Sequence, residues 1–487
     1  MNEVFYLKLK NILTDIEYRL IQGSIDIEIS GIEFDSREIK PNNVFVAIKG
    51  FTSDGHDYID KAIQNGATCI IVEKEVKIDK GITIIQVDSS RKVLPYISAN
   101  FYNHPQDKLK KIGITGTKGK TTTAFMIRKL LRDAGKKVGM VGTLGVFIED
   151  EHFKNGRTTP ESLYLQRYMS QMVDKGIEYL VMEVSSQALK YDRVSNIFYD
   201  YAIFTNLSLD HIGPNEHPTY EDYIESKAKL FMQSKIGLVN KDDKEFDKII
   251  KNATCKIITY GKDTKDADIV ISDIESINSS TLETKFNLSG KIDGTFRVSM
   301  PGVFTAFNAT CAIATCENFI DVSVENINKS LFSFMVPGRC NIYNTKRGKV
   351  IIDFAHNRIS LASIVKTVRE YNPTRIITVF GCGGGRMDRR FSLGEASGEF
   401  SDLSILTTDN PRDDEIDDIN KDVISGIESK NGKYIVIKDR EEAIRYAILN
   451  MEPTDVVLLI GKGDEEYQEI KGVKYPFSEK KIVEEYL

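Results

Sequence analysis

Residues 111–123 read KIGITGTKGKTTT, an apolar β-branched run that breaks into a glycine-rich turn and leads into a helical pattern. Few stretches narrow a fold as much. The run reads as a buried strand, and Gly116 and Gly119 permit backbone conformations that turn N–H groups inward. A helix opening at Thr121 would offer its N-terminus to an anion. Lys120 then falls against terminal phosphates, and the Thr121 hydroxyl on a magnesium ion. The strict P-loop pattern asks for a glycine five residues before Gly119, where Ile114 stands. The kernel of this variant loop is therefore Gly116-Thr117-Lys118-Gly119-Lys120-Thr121, with Thr122 next in line. A plain glycine turn is the bland alternative. Strand before, helix after and Lys-Thr at the hinge favour phosphate binding.

At 487 residues the chain has length for about three domains. Residues 1–107 hold short strands (VFVAI, TCIIVE) around the helical segment IDKAIQNG, and the polar, proline-bearing FYNHPQDK reads as a linker. Over 108–335 strands and helices alternate, the signature of a doubly wound, mostly parallel sheet; residues 269–300 break the alternation and read as an antiparallel flap. VPGRCN, at 336–341, reads as a second linker, opening the region 336–487. There, four apolar runs end in the clusters DFAHNR, GCGGGR, DNPR and GKGDE. In an open parallel sheet, ligands sit outside the carboxyl ends of the strands. Four such ends on one edge predict a second binding face. The expected class is α/β throughout, with a Rossmann-like C-terminal domain.

Composition removes other classes. A net charge of −6 without a long basic run argues against a nucleic-acid partner. The charged N-terminus MNEVFYLKLKNILTDIEY reads as neither signal peptide nor membrane anchor, and no apolar run approaches the ~18–20 residues of a span. Six cysteines without a CxxC pair read as reduced thiols. The expectation is a cytoplasmic protein with no membrane partner.

A P-loop with magnesium needs ligands at neighbouring strand ends. YLVMEVSSQ supplies Glu183 and FTNLSLDHIG supplies Asp210 and His211. A buried carboxylate without a partner is costly, which favours a metal or water role for Glu183; His211 is read as a metal ligand over a packing histidine. Lys227 and Lys229 lie on an amphipathic helix with Tyr223, Leu230 and Phe231, and pattern alone makes either lysine a surface charge.

Taken in order, FDSREIKPNNVFVAIKG, DGHDYI, TGTKGKTTT, RTTPES, MEVSSQ, TNLSLDHIG, YIESKAKLF, VPGR, DFAH, GCGGGR, DNPR and GKGDE resemble the Mur ligases of peptidoglycan synthesis, most closely the MurE type. The resemblance implies that Asp35, Ser36 and Arg37 contact the UDP part of a UDP-N-acetylmuramoyl dipeptide and that the loop GFTSDGH closes over it. It implies that Thr158, Thr159, Ser185, Gln187 and Arg193 hold the muramoyl-peptide portion. Asn308 would contact adenine, with Arg339, Asp353 and His356 on the ATP-facing edge of the third domain. Lys227, not Lys229, matches the lysine that these ligases carbamylate, which would join Thr121, Glu183 and His211 around magnesium. Arg390, with Arg389 as its rival, matches the contact to the incoming amino acid, together with Asp409, Asn410, Arg412, Gly461 and Glu465.

Four positions depart from the commoner pattern: Lys118 for asparagine, Gln187 for histidine, HNRIS for HTPDS after His356, and Asp464 for the histidine of GKGHE. The resemblance implies an ATP- and magnesium-dependent amide ligase, a monomer, that joins a free amino acid to the dipeptide through an acyl phosphate. DNPR favours meso-diaminopimelate, because the Arg412 guanidinium suits a second carboxylate. Asp464 leaves L-lysine open. A folylpolyglutamate synthetase-like ligase and a non-catalytic nucleotide switch are the further alternatives.

Overall fold

The computed structural model describes residues 6–50, 53–78, 81–209, 212–213, 216–279 and 281–487. The chain divides into two compact units: residues 1–270 with 311–321, and residues 271–310 with 322–487. No helix among the described residues is long and apolar enough to cross a membrane.

The first unit begins with a five-stranded sheet in the order Arg19–Gln22, Thr83–Gln86, Ala67–Val72, Asn43–Val46, Gly31–Glu33. Only Arg19–Gln22 runs antiparallel to its neighbour. Apolar side chains fill both faces of the sheet, Val44, Val46, Cys69 and Ile71 on one side and Phe45, Ile70 and Val72 on the other. Residues 101–108, read as a linker, close the helix Ser90–Phe101, pass through left-handed Asn103 and His104, and form a one-turn helix Pro105–Lys108. This connection is not slack. Arg167 reaches Glu33 at 2.7 Å and the Tyr102 hydroxyl at 3.1 Å, and Asn196 donates to the Pro95 carbonyl at 2.9 Å.

The central sheet of this unit is parallel through Val138–Gly142, Tyr179–Glu183, Lys110–Thr115, Tyr199–Phe204, Ser234–Asn240 and Lys256–Gly261, with the hairpin Gly145–Ile148/Glu151–Phe153 antiparallel at one edge. Parallel strands covered on both faces read as continuous apolar runs. Lys110–Thr115 is buried from Lys111 onward. Its register sets Ile114 opposite Glu183 and Thr115 opposite Phe204, so the neighbouring strand ends meet the P-loop.

In the second unit, Leu282–Gly290 and Gly294–Val298 pair antiparallel, as expected for the flap. A six-stranded sheet follows in the order Asn341–Asn344, Lys349–Asp353, Val456–Ile460, Ile376–Phe380, Leu403–Leu406, Tyr434–Val436. All but the first pairing are parallel. Helices Arg358–Arg369, Met387–Phe400 and Ile416–Glu428 cover one face, and Arg440–Leu449 and Glu479–Glu484 the other. The four decorated strand ends therefore share one edge, as the sequence predicts. VPGRCN, expected as a linker, is a tight turn: Gly338 N–H donates to Asn341 Oδ1 at 2.7 Å, and Asn341 Nδ2 donates to the Val336 carbonyl at 2.6 Å.

Candidate active site

The P-loop helix runs Lys120–Asp133, one residue earlier than expected, with Gly119 at φ +87° before it. Gly116 also has a left-handed backbone, φ +145°, and any side chain there would overlap Thr205 Oγ1. The loop is gripped by the segment after Tyr199–Phe204. Thr117 N–H donates to the Asn206 carbonyl at 2.8 Å, Lys118 N–H to Asn206 Oδ1 at 3.0 Å, and Thr205 Oγ1 to the Lys118 carbonyl at 2.7 Å. Two ammonium groups share the Gly116 carbonyl: Lys120 Nζ at 2.8 Å and Lys227 Nζ at 2.9 Å. Lys227 is 1% exposed and lies 4.5 Å from the centre of the Tyr223 ring, whose hydroxyl meets Thr117 Oγ1 at 3.1 Å. Lys229 is exposed and reaches only the Leu189 carbonyl, at 3.4 Å. Of the two lysines, Lys227 is the one that reaches the Gly116–Thr121 loop among the described residues.

Glu183, 1% exposed, accepts hydrogen bonds from Thr121 Oγ1 at 2.9 Å, Thr143 N–H at 2.9 Å and Thr143 Oγ1 at 3.2 Å. From there a chain of bonds leaves the phosphate loop. Thr143 Oγ1 meets Thr158 Oγ1 at 3.1 Å, and Thr159 Oγ1 donates to the Glu183 carbonyl at 2.8 Å and accepts from Ser185 N–H at 3.0 Å. Arg193 Nη1 donates to the Thr159 carbonyl at 3.2 Å, and Ser185 Oγ caps the short helix that carries Gln187. Thr158, Thr159, Ser185 and Arg193 are therefore brought together with Thr121 and Glu183. Asp210 and His211 lie outside the described residues. Among the described residues no three His, Cys, Asp or Glu side chains form a metal cluster. One buried carboxylate and a hydroxyl beside a phosphate loop suit magnesium, which takes few protein ligands and completes its shell with phosphate and water. In the turn after the strand Gly31–Glu33, Asp35 accepts from Arg37 Nε at 2.9 Å, and the Ser36 carbonyl accepts from Asn65 at 2.8 Å. Arg37 holds the Asp35 carboxyl below its ordinary range and leaves its own side chain 74% exposed.

In the second unit, Asn308 lies on helix Val303–Glu317. Asp353 accepts from the N–H groups of Cys340 and Ala355, both at 2.8 Å, which anchors the turn carrying Arg339. Burial pushes the Asp353 carboxyl up, against the pull of Arg339. Arg339 lies 4.5 Å from the Phe354 ring centre, and His356 Nδ1 is 2.9 Å from the Phe354 carbonyl. At the ends of Leu403–Leu406 and Val456–Ile460, Asn410 Nδ2 donates to Glu465 Oε2 at 2.8 Å, and a Cβ on Gly461 (φ +114°) would come 2.7 Å from Asp409 Oδ2. Arg412 is left-handed, 54% exposed, and 3.5 Å from Glu469. Arg390, expected to contact the incoming amino acid, is buried and tied to Asp414 and Asp422. Arg389 is partly exposed, 3.8 Å from Asp388. A groove of about 670 Å³ between Phe304, Ile359 and Phe400 contains none of the predicted residues.

Three family models match in order: the Mur ligase family catalytic domain over residues 28–110, the Mur ligase middle domain over 114–316, and the Mur ligase glutamate ligase domain over 338–463. The UDP-N-acetylmuramoyl-L-alanyl-D-glutamate–2,6-diaminopimelate ligase 1 of Clostridium acetobutylicum is 40% identical over 99% of both chains. The chain belongs to the Mur ligase family. A solved structure described as a UDP-N-acetylmuramoyl-L-alanyl-D-glutamate–2,6-diaminopimelate ligase superimposes with a TM-score of 0.72 at 27% identity, covering 99% of each chain. A Mycobacterium tuberculosis folylpolyglutamate synthase, complexed with ADP and AMPPCP, shares the fold over 75% of this chain and 91% of its own, at 15% identity and a TM-score of 0.58.

Several residues that shape the site in this Mur ligase escaped the sequence reading. Thr205 and Asn206 lie inside the motif TNLSLDHIG and could have been found there. Tyr223, read as packing, is buried but also carries the hydroxyl that meets Thr117. His217 is fully buried between Asp222, 2.6 Å from its Nδ1, and Ser186 Oγ, 2.9 Å from its Nε2. It ties the Ser185 helix to the Lys227 helix. Desolvation holds its pKa below 6.5, outweighing Asp222. Lys462, 0% exposed, lies inside the cluster GKGDE and could have been found there, whereas Arg440, also 0% exposed, carries no signal, because a lone cation in sequence reads as a solvated one.

Proposed function

We propose that this Mur ligase is an ATP-dependent amide ligase that adds a diamino acid, meso-diaminopimelate, to UDP-N-acetylmuramoyl-L-alanyl-D-glutamate. The observation that carries the reading is the convergence at one loop of Lys120 and Lys227 on the Gly116 carbonyl, beside the Thr121–Glu183 hydrogen bond. The division of labour follows the three regions: UDP binding in 1–107, phosphate binding in 108–335, amino-acid binding in 336–487.

Thr121, Glu183, His211 and a carbamate on Lys227 would hold magnesium. Bound there, the ion would offset repulsion between the phosphates and the substrate carboxylate. Lys227 gains its carbamate when the neutral amine adds carbon dioxide and releases a proton, turning a cation into a hard oxygen ligand. Lys120, now bonded to the Gly116 and Thr117 carbonyls, swings its ammonium to the terminal phosphate of ATP. The substrate carboxylate attacks the γ-phosphorus, the bond to the β-phosphate oxygen breaks, and ADP leaves. Thr158, Thr159, Ser185 and Arg193 orient the muramoyl peptide for that attack, and Asp35, Ser36 and Arg37 hold the UDP end. The amino acid's neutral amine then attacks the acyl carbon, inorganic phosphate departs, and the amine proton passes to solvent. Asn308, Arg339, Asp353 and His356 would bind the nucleotide and shield the acyl phosphate from hydrolysing water.

Arg412 would take the distal carboxylate of diaminopimelate, and Glu465 its ammonium. Asp464, beside Glu465, is the one feature that favours L-lysine instead. Phosphate release should require ATP, the nucleotide-sugar dipeptide and an amino acid together. ATP hydrolysis indifferent to both co-substrates, or release driven by a folate, would overturn the reading.

A further inference from the structure

We propose that Lys462 and Arg440 are positioning residues for the amino-acid pocket: Lys462 holds Asp409, Asn410 and Glu465 convergent, and Arg440 fixes the backbone from which Asp409 and Gly461 emerge. The inference rests on reading the DNPR and GKGDE strand ends as the amino-acid site.

Lys462 is wholly buried, whereas the side chains around its head group are more open, Asp409 at 11% exposed and Glu465 at 26%. Its Nζ lies 3.0 Å from Asn410 Oδ1 and 3.4 Å from both Asp409 Oδ1 and Glu465 Oε2. The cation is thus a floor and the acids are the rim. Asn410 cannot turn its amide over. Its Oδ1 accepts from Lys462 and from Glu469 N–H at 2.9 Å, while its Nδ2 donates to Glu465 at 2.8 Å. Two carboxylates around one ammonium leave one negative charge, which suits the amino acid's own ammonium group. Without Lys462 the same carboxylates would face each other in a poorly solvated place and move apart.

Arg440 works one layer below. Its Nε donates to Glu479 Oε1 at 2.9 Å, Nη1 to the Thr408 carbonyl at 3.2 Å, and Nη2 to the Ile460 carbonyl at 2.9 Å. Thr408 precedes Asp409, and Ile460 precedes Gly461. The strands that lead to these carbonyls, Leu403–Leu406 and Val456–Ile460, are not neighbours, because Ile376–Phe380 lies between them. Each pairs with that middle strand and not with the other, and the guanidinium fork bridges the two loops directly where the ladders end. A lysine has no such fork. A buried ion pair is weak evidence for stability, since desolvation offsets its attraction. Its geometry here, with both side chains at 1% exposure or less, points instead to placement.

The test uses the full chain with saturating UDP-dipeptide and compares wild type, Lys462→Met, Arg440→Met, the double variant Arg440→Met/Glu479→Leu, and Arg412→Ala. Amino-acid KM, ATP KM and melting temperature are measured for each. Lys462→Met and the double variant should raise amino-acid KM about ten-fold, a loss of about 1.4 kcal/mol in binding, with ATP KM held within about two-fold. The double variant, free of an unpaired buried charge, should recover the melting temperature lost in Arg440→Met yet keep the raised amino-acid KM. That split separates placement from folding. If Arg412→Ala raises amino-acid KM while Lys462→Met and the double variant leave it at the wild-type value, the inference fails and the pocket reading stands. If Arg412→Ala also leaves it unchanged, the pocket reading fails and takes the inference with it.

Discussion

The loop proposed to bind phosphate in the first unit and the strand ends proposed to take the amino acid in the second are built by opposite means. The phosphate site is a short contiguous stretch whose shape comes from backbone: left-handed Gly116 and Gly119, a helix start at Lys120, and clamps from Thr205 and Asn206. The proposed pocket is assembled from two separate strand ends, and its shape comes from buried charge: Lys462 under Asp409 and Glu465, Arg440 with Glu479. Backbone geometry tolerates neighbouring substitutions so long as the glycines remain. A buried charge set fails when a single partner is removed.

The contrast can be broken first at the phosphate loop. Lys120→Ala should lower kcat by about a thousand-fold, because a preorganised cation aimed at developing charge contributes on that scale. Phosphate-release rates check this, and survival of activity would pass the role to Lys118. Lys227→Ala should cost about a hundred-fold and Lys229→Ala almost nothing. Formate should restore part of the Lys227→Ala loss, and equal losses in both variants would contradict the assignment. In the pocket, Arg412→Ala should weaken diaminopimelate use by about ten- to hundred-fold, the worth of a charged hydrogen-bonded contact. Initial rates over a diaminopimelate series test that.

The smallest effect concerns His217, which joins the two helices flanking the phosphate site. Its folded pKa lies below 6.5, so the unfolded chain takes up the proton first as pH falls. Its stabilising contribution is therefore present above pH 6.5 and is lost as pH drops toward the folded value. Melting curves between roughly pH 7.5 and 5, a range that spans the ordinary histidine value, should show a slope that His217→Gln reduces by about 2 °C across the range. Parallel curves would remove His217 from the joint.

The same contrast explains what could be read in advance. The α/β class and the common edge of the four C-terminal strands follow from periodicity, because parallel strands buried on both faces leave long apolar runs; of the expected antiparallel flap over 269–300, Leu282–Gly290 and Gly294–Val298 pair antiparallel, whereas Ile269 and Val270 extend the sheet parallel to Tyr260 and Gly261. Glu183 was readable because a carboxylate at the end of such a run needs a partner, here Thr121 and Thr143. Spacing could not separate Lys227 from Lys229. Helix Tyr220–Ala228 does, ending so that Lys227 points inward and Lys229 stays exposed. The sequence does not show that Arg390, expected to contact the amino acid, is buried and bonded to Asp414 and Asp422, more than twenty residues downstream. Arg440 was invisible for a related reason: its partners come from Thr408, Ile460 and Glu479, and only the folded sheet brings them together.

The central claim, a ligase whose pocket selects a second carboxylate, is tested most directly by competition. Wild-type protein would be given ATP, UDP-N-acetylmuramoyl-L-alanyl-D-glutamate and equal concentrations of meso-diaminopimelate and L-lysine, and the product separated by mass. The diaminopimelate adduct should dominate, and Arg412→Ala should erase that preference. A lysine adduct as the main wild-type product would contradict the account.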